Sequence, residues 1–208
     1  MTDLNEIRMT SLQECEQLGY PLPSTLPMLD VEHGLRPPHE IESRALALSA
    51  IVAASYGFPR ERAVSWLEQE TLVPALSEAE RGFLFDEVGL AQQFQVQVEC
   101  LCAFAWVLEL LPILNFAKPS PNSLVEVFPD LRQAESGSRF RRQAKLRSLG
   151  DVLGALDFAY CLHWGIHNAA VSRKMILGNV PPHVVIERRR ALEWLLSQEN
   201  WADVSLDT

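Results

Sequence analysis

Phe94 to Leu108, "FQVQVECLCAFAWVL", reads two ways. Its first half, Phe94-Gln-Val-Gln-Val-Glu99, alternates apolar and polar residues, the period of a half-buried strand. Its second half, Cys100 to Leu108, is an unbroken apolar run of nine residues, too long for a typical strand. The longer signal decides, and the whole stretch is expected to form a buried core helix. Glu109 and Pro112 interrupt the apolar character out to Leu114, which leaves too little to span a bilayer, so no membrane insertion is expected.

Outward from this stretch the pattern stays helical. Toward the N-terminus, Leu4, Ile7, Leu12, Cys15 and Leu18 keep a helical spacing that Gly19, Pro21 and Pro23 end. A proline-rich loop to Pro38 precedes a helix over about His39 to Tyr56, which Gly57 stops. Pro59 opens the next helix, to Glu70. Ser77-Glu-Ala-Glu80 has the spacing of a capping box. Toward the C-terminus, Asn122-Ser-Leu-Val-Glu126 offers another cap, and Ser148-Leu-Gly-Asp151 starts a long helix. Leu149, Val152, Leu153, Leu156, Tyr160, His163, Trp164 and His167 lie along one face of it. A turn at Gly178 to Pro182 leads into a last helix over about His183 to Gln198. The expected architecture is all-α: a single domain over residues 1–208, a multi-helix bundle of about eight helices with its C-terminal tail docked on the bundle.

With 48% hydrophobic and 22% charged residues, the composition is that of a globular chain long enough to bury a sizeable core. The polar, acidic start, Met-Thr-Asp-Leu-Asn-Glu, has no basic segment ahead of an apolar one, so no secretory signal is expected. Cys15, Cys100, Cys102 and Cys161 form no disulfide framework, and Cys-x-Cys on a helix sends its thiols to different faces. A reducing, cytoplasmic setting follows as the expectation. The net charge of −9 is unevenly spread: −12 up to Leu131, +7 from Arg132 to Arg190, and −4 over the last stretch.

Three constellations bear on chemistry. His163 and His167 stand four apart, a spacing that can hold a metal with a third ligand from Glu187, Asp203 or Asp207. The glutamate that follows the first histidine in metalloprotease helices is missing, so a packed face is the preferred reading and no metal or other cofactor is expected. Arg188 falls on the stripe Val185, Arg188, Leu192, Leu195, so its guanidinium should point inward and need a carboxylate. Asp157, Asp203 and Asp207 are the expected partners. The run Arg139-Phe-Arg-Arg-Gln-Ala-Lys-Leu-Arg147 offers Arg139, Arg141, Arg142, Lys145 and Arg147 to an acidic surface. Phe140 is its only stacking ring and the protein is acidic overall, which argues against nucleic acid. No glycine-rich phosphate loop and no nucleophile elbow occurs.

The closing segment resembles family 4272 of the domains of unknown function. The carriers are Arg188-x-Arg-Ala-Leu-Glu-Trp-Leu195 and Trp201-Ala-Asp-Val-Ser-Leu-Asp-Thr208. Gln143-Ala-Lys-Leu-Arg-Ser148, Ala155-Leu-Asp-Phe-Ala-Tyr-Cys-Leu-His-Trp164, Val98-Glu-Cys-Leu101, Ser43-Arg-Ala-Leu-Ala-Leu48 and the early Leu-Gly-Tyr-Pro-Leu-Pro agree in order. The resemblance covers nearly the whole chain and implies a single, mainly helical, bacterial-type domain. It carries no activity across. It marks Asp157, Tyr160, His163 and Trp164 on the long helix, and Glu187, Arg188, Arg190 and Trp194 on the last. In the tail it marks Trp201, Asp203, Asp207 and Thr208. The chain departs from the pattern at Cys161, where a basic residue is usual, at Arg189, where histidine is usual, and at Ala202, where aspartate is common.

These motif residues are expected to form a structural latch. Trp201, Val204 and Leu206 would lie on the bundle, with Asp203 and Asp207 meeting Arg188 or Arg190, supported by Asp157 and Trp194. The functional expectation is a protein-interaction module, immunity-like in one version, whose basic run Arg139 to Arg147 meets acidic groups on a protein partner. The alternative is a hydrolase or transferase with His163, Glu187 and Arg188 converging on one accessible pocket.

Overall fold

The computed structural model describes residues 3–23, 25–30, 33–172 and 178–207. Among them all regular structure is helical. The α-helices are α1 (Leu4–Gln17), α2 (Pro38–Ser55), α3 (Arg60–Gln69), α4 (Glu78–Phe85), α5 (Ala91–Gln95), α6 (Val98–Val107), α7 (Leu124–Val127), α8 (Ser138–Gln143), α9 (Leu149–Ser172) and α10 (Pro182–Leu196). Short 3-10 turns occupy Val73–Ala75 and Leu131–Gln133. The all-α, bundle-like reading holds, with several one- or two-turn segments in addition to the longer helices foreseen.

The ambiguous stretch from Phe94 is helical throughout, broken only at Val96 and Gln97 between α5 and α6. Its apparent alternation comes from Phe94 packing inward against Phe83, with ring centroids 4.6 Å apart, while Gln95 donates to the Ser55 carbonyl at the end of α2 and Gln97 to that of Gln93. From Cys100 onward α6 is buried on nearly all sides, which is why its sequence shows no polar face. Local signals fix the ends. Ser77 and Glu80 complete the capping box of α4. Ser148 Oγ accepts from the Asp151 amide at 3.2 Å at the start of α9. Gly19 and Gly57, with φ of 86° and 96°, end α1 and α2 in a conformation that a Cβ would strain.

The helices follow one another as neighbours in space. α1 covers one side of α9, α9 packs on α10, α10 on α6, α6 on α2, and α2 on α3 and α5. α10 therefore lies between α9 and α6, and its consecutive residues Glu187, Arg188 and Arg189 are all buried. The loop before α2 closes the far end of α10. There Arg36 donates to the carbonyl of Trp194 at 2.7 Å, an acceptor that the helix end leaves open, and to that of Glu199 at 2.6 Å just beyond it.

Candidate functional site

Four of the buried or nearly buried arginines hold the bundle together, each with its own partner. Arg8 on α1 meets Asp157 on α9, with Nη2 2.7 Å from Oδ1, and donates to the carbonyls of Leu26 and Pro27 at 2.9 and 2.8 Å. Arg44 on α2 clamps Glu80 on α4 with two hydrogen bonds. Burial alone would raise the Glu80 carboxyl, but the charge and hydrogen bonds of Arg44 overcome it and hold the group below its ordinary value. Arg188 on α10 meets Glu99 on α6 through Nε at 2.9 Å and Nη2 at 2.5 Å. It also reaches the carbonyls of Asn115 and Lys118, while Glu99 accepts from Ser120, so the 115–120 loop is tied to α10. Arg189 donates to His163 Nδ1 at 2.9 Å and pairs with Glu193 at 3.1 Å.

Arg188 points inward as its stripe predicts, but its acid is Glu99, not Asp157, Asp203 or Asp207. Asp157 is already used by Arg8. Asp203 accepts from Asn200 and Asp207 from Ser205, both in local turns of the tail. The tail is docked all the same, by other means. Arg189 donates to the backbone carbonyls of Leu206 and Asp207, both at 3.2 Å. Trp201 is buried among Phe104, at 5.7 Å between ring centroids, and Trp194, at 6.0 Å, with Arg44 over its face. Val204 is buried beside them. Arg190 turns back to Glu187 on its own helix at 3.3 Å. Thr208 lies outside the described residues.

His163, Glu187 and Arg188 do not share a site. His163 meets Arg189; Glu187 meets Arg190 and accepts from the Cys100 thiol at 3.3 Å; Arg188 meets Glu99. Burial, with Arg189 and His167 near, pulls His163 from 6.5 down to about 4, so the imidazole is neutral at pH 7 and Nδ1 accepts from Arg189. Burial also pushes the Cys161 thiol up to about 12 and raises those of Cys15, Cys100 and Cys102. None of these thiols is poised as a thiolate nucleophile near neutrality. Among the described residues no group of three His, Cys, Asp or Glu side chains could hold a metal, and no helix is long and apolar enough to cross a membrane.

A family model described as "Domain of unknown function (DUF4272)" matches residues 8–204. The chain belongs to this family. No curated protein and no solved structure matches it. In this DUF4272 chain motif residues have a visible structural role, since Asp157 joins α9 to α1, Arg188 joins α10 to α6, and Trp194 meets Trp201 of the tail.

The basic run divides. Arg139 pairs with Glu135 at 2.6 Å and donates to the Phe128 carbonyl. Arg141 pairs with Glu70, the residue just past α3, at 2.7 Å. Arg147 covers the end of α6, donating to the carbonyls of Trp106 and Leu111, with its guanidinium over the Trp106 ring. Arg142 and Lys145 stay exposed. The charge split along the sequence is thus partly an internal complementarity, with C-terminal cations meeting N-terminal acids as Arg141 meets Glu70 and Arg188 meets Glu99.

The DUF4272 bundle also carries a groove of about 890 Å³ that no sequence motif announces. Val52 and Ala53 of α2 and Val98 and Leu101 of α6 line it, and Leu124, Phe128 and Leu131 form the facing side. Tyr56 and Val125, 65% and 73% exposed, stand at it uncovered. The signal that could have found them is an aromatic residue just before Gly57 and a valine beside a predicted cap, neither needed by the core. Neither this groove nor a smaller cleft beside α10 is lined by His163, Glu187 or Arg188.

Proposed function

We propose that the protein is an interaction module and that the groove between α2, α6 and the 124–139 segment receives an apolar segment of a protein partner. The observation that carries this reading is the groove itself, an open and mainly apolar cleft of about 890 Å³ that leaves large apolar side chains uncovered. Exposed Tyr56 and Val125 supply anchors of the type that dominates interface energy, an aromatic beside an aliphatic.

Charge supports an acidic flank on that partner. Within the groove, Arg139 is neutralised by Glu135 and Arg132 lies 3.8 Å from Asp130, while Arg62 and Glu126 leave one charge of each sign. The surplus lies one turn further along α8. Arg142 follows Arg139 by three residues on the helix, and exposed Lys145 comes just beyond. The acid-binding part of the basic run accordingly contracts to Arg142 and Lys145. An immunity-type protein that masks an acidic partner is one version of this module.

The test is capture from native lysate with three forms of the full chain: unaltered, Tyr56→Ser with Val125→Asp, and Arg142→Glu with Lys145→Glu. One stoichiometric protein retained by the unaltered chain, lost by the groove variant and released at lower salt from the charge variant supports the reading. Equal retention by the groove variant overturns the groove, and an empty eluate from the unaltered chain overturns the module.

A further inference from the structure

The second cleft shares no residue with the groove and has a different chemistry. It encloses about 290 Å³ between the Pro27–Asp30 segment, α9 and the end of α10. Arg8 holds the first wall in place through the Leu26 and Pro27 carbonyls. The apolar lining comes from Leu29, Leu153, Leu156 and Leu196, and the polar groups are those of Asp30, Tyr160, Arg189, Glu193 and Ser197.

The state of each polar group decides what fits. Arg189 has four of its five N–H groups engaged: by Glu193, by His163, and by the Leu206 and Asp207 carbonyls. It has little left to offer an anion. The acceptors are less occupied. Glu193 gives Oε1 to Arg189, while Oε2 takes no hydrogen bond from the described residues, and the side chain keeps 25% exposure. Asp30 is exposed at the cleft and takes none either, and the Tyr160 hydroxyl is likewise without a hydrogen-bonding partner among the described residues. Burial keeps the Glu193 carboxyl above its ordinary value although Arg189 pulls the other way.

We propose that this cleft binds a small organic cation, a primary ammonium on a short aliphatic stem. The ammonium has three donors for Glu193 Oε2, the Tyr160 hydroxyl and Asp30, and the stem lies on Leu153, Leu156 and Leu196. The volume sits at the lower end of small-molecule sites, which excludes large polycyclic ligands. This proposal is independent of the groove and survives if the groove has no partner.

The experiment is an amide correlation NMR titration of the full chain with n-butylammonium, and with n-butyrate at matched ionic strength as the isosteric anion. Butylammonium is expected to give saturable shifts confined to residues 28–30, 153–160 and 193–197, with butyrate giving none. Glu193→Gln keeps an acceptor for Arg189 and is expected to weaken binding by about fivefold or more. Asp30→Asn, on the surface, is expected to weaken it by less and carries the test if the Glu193 variant loses its native spectrum. Shifts that rise linearly without saturating, equal shifts with butyrate, or unchanged affinity in the folded variants would overturn the proposal.

Discussion

The guanidinium carbon of Arg44 lies 4.4 Å from the centroid of the Trp201 ring, while the same guanidinium clamps Glu80. The tail therefore docks on a cation that is already fixed, and the indole meets it without having to order it. Phe104 and Trp194 complete the pocket at 5.7 and 6.0 Å from Trp201. Trp201→Ala empties a nearly buried site of this size and is expected to cost about 3–5 kcal/mol. For a chain of this length that lowers Tm by roughly 2–4 °C per kcal/mol, measured by thermal or urea unfolding. A loss under about 1 kcal/mol would mean that the tail only rests on the surface.

Arg188 and Glu99 are the deepest ion pair on the α6–α10 contact, with side chains 1% and 3% exposed. Arg188→Met leaves an uncompensated buried carboxylate and is expected to cost about 3–5 kcal/mol. Adding Glu99→Met removes that charge and should recover much of the loss, giving a coupling of about 2 kcal/mol in a double-mutant cycle. Recovery should stop short of complete, because the Asn115 and Lys118 carbonyls and the Ser120 amide then lose their partners. Additive costs from the two single substitutions would refute this pairing as the energetic centre of the contact.

These two clusters show what a sequence exposes and what it hides. The helical reading of Phe94 to Leu108, the inward Arg188 and the docked Trp201 all follow from local pattern, because length, stripe and apolar spacing are properties of neighbours in sequence. The partner of Arg188 was hidden because Glu99 is 89 residues away, although a single acid at the edge of an apolar run is itself a signal of a buried pair. Arg8 and Asp157, 149 residues apart, were hidden for the same reason. Asp203 and Asp207 looked like partners because side-chain type is all that a pattern displays. The arginine that reaches the tail, Arg189, binds backbone carbonyls, which every residue has. The groove was illegible because it is assembled from several separate segments.

His163 predicts a pH signature. Unfolded, its imidazole takes up a proton as pH falls through about 6.5; folded, it stays neutral until about 4. Between these values the unfolded chain binds more protons, so acidification favours unfolding and the contribution of His163 to stability is lost as pH drops through this window. Glu193, raised in the folded state, acts in the opposite direction but is common to both proteins compared. The difference in unfolding free energy between the unaltered chain and His163→Gln should be constant above pH 7 and shift against the unaltered chain between 6.5 and about 4. Urea melts at several pH values measure it, and parallel curves throughout would mean that His163 protonates freely in the folded protein.

The basic run predicts a contrast between adjacent arginines. Arg141 lies 2.7 Å from Glu70 and Arg142 is exposed with no carboxylate partner among the described residues. Arg141→Glu places one carboxylate against another, half-buried between α8 and α3, and is expected to cost about 1–2 kcal/mol. Arg142→Glu with Lys145→Glu should change stability by no more than about 0.5 kcal/mol, as surface substitutions do. Urea unfolding of the two variants separates structural from available charge before any partner is known. Equal destabilisation would show that Arg142 and Lys145 already serve the fold and are not available to an acidic partner.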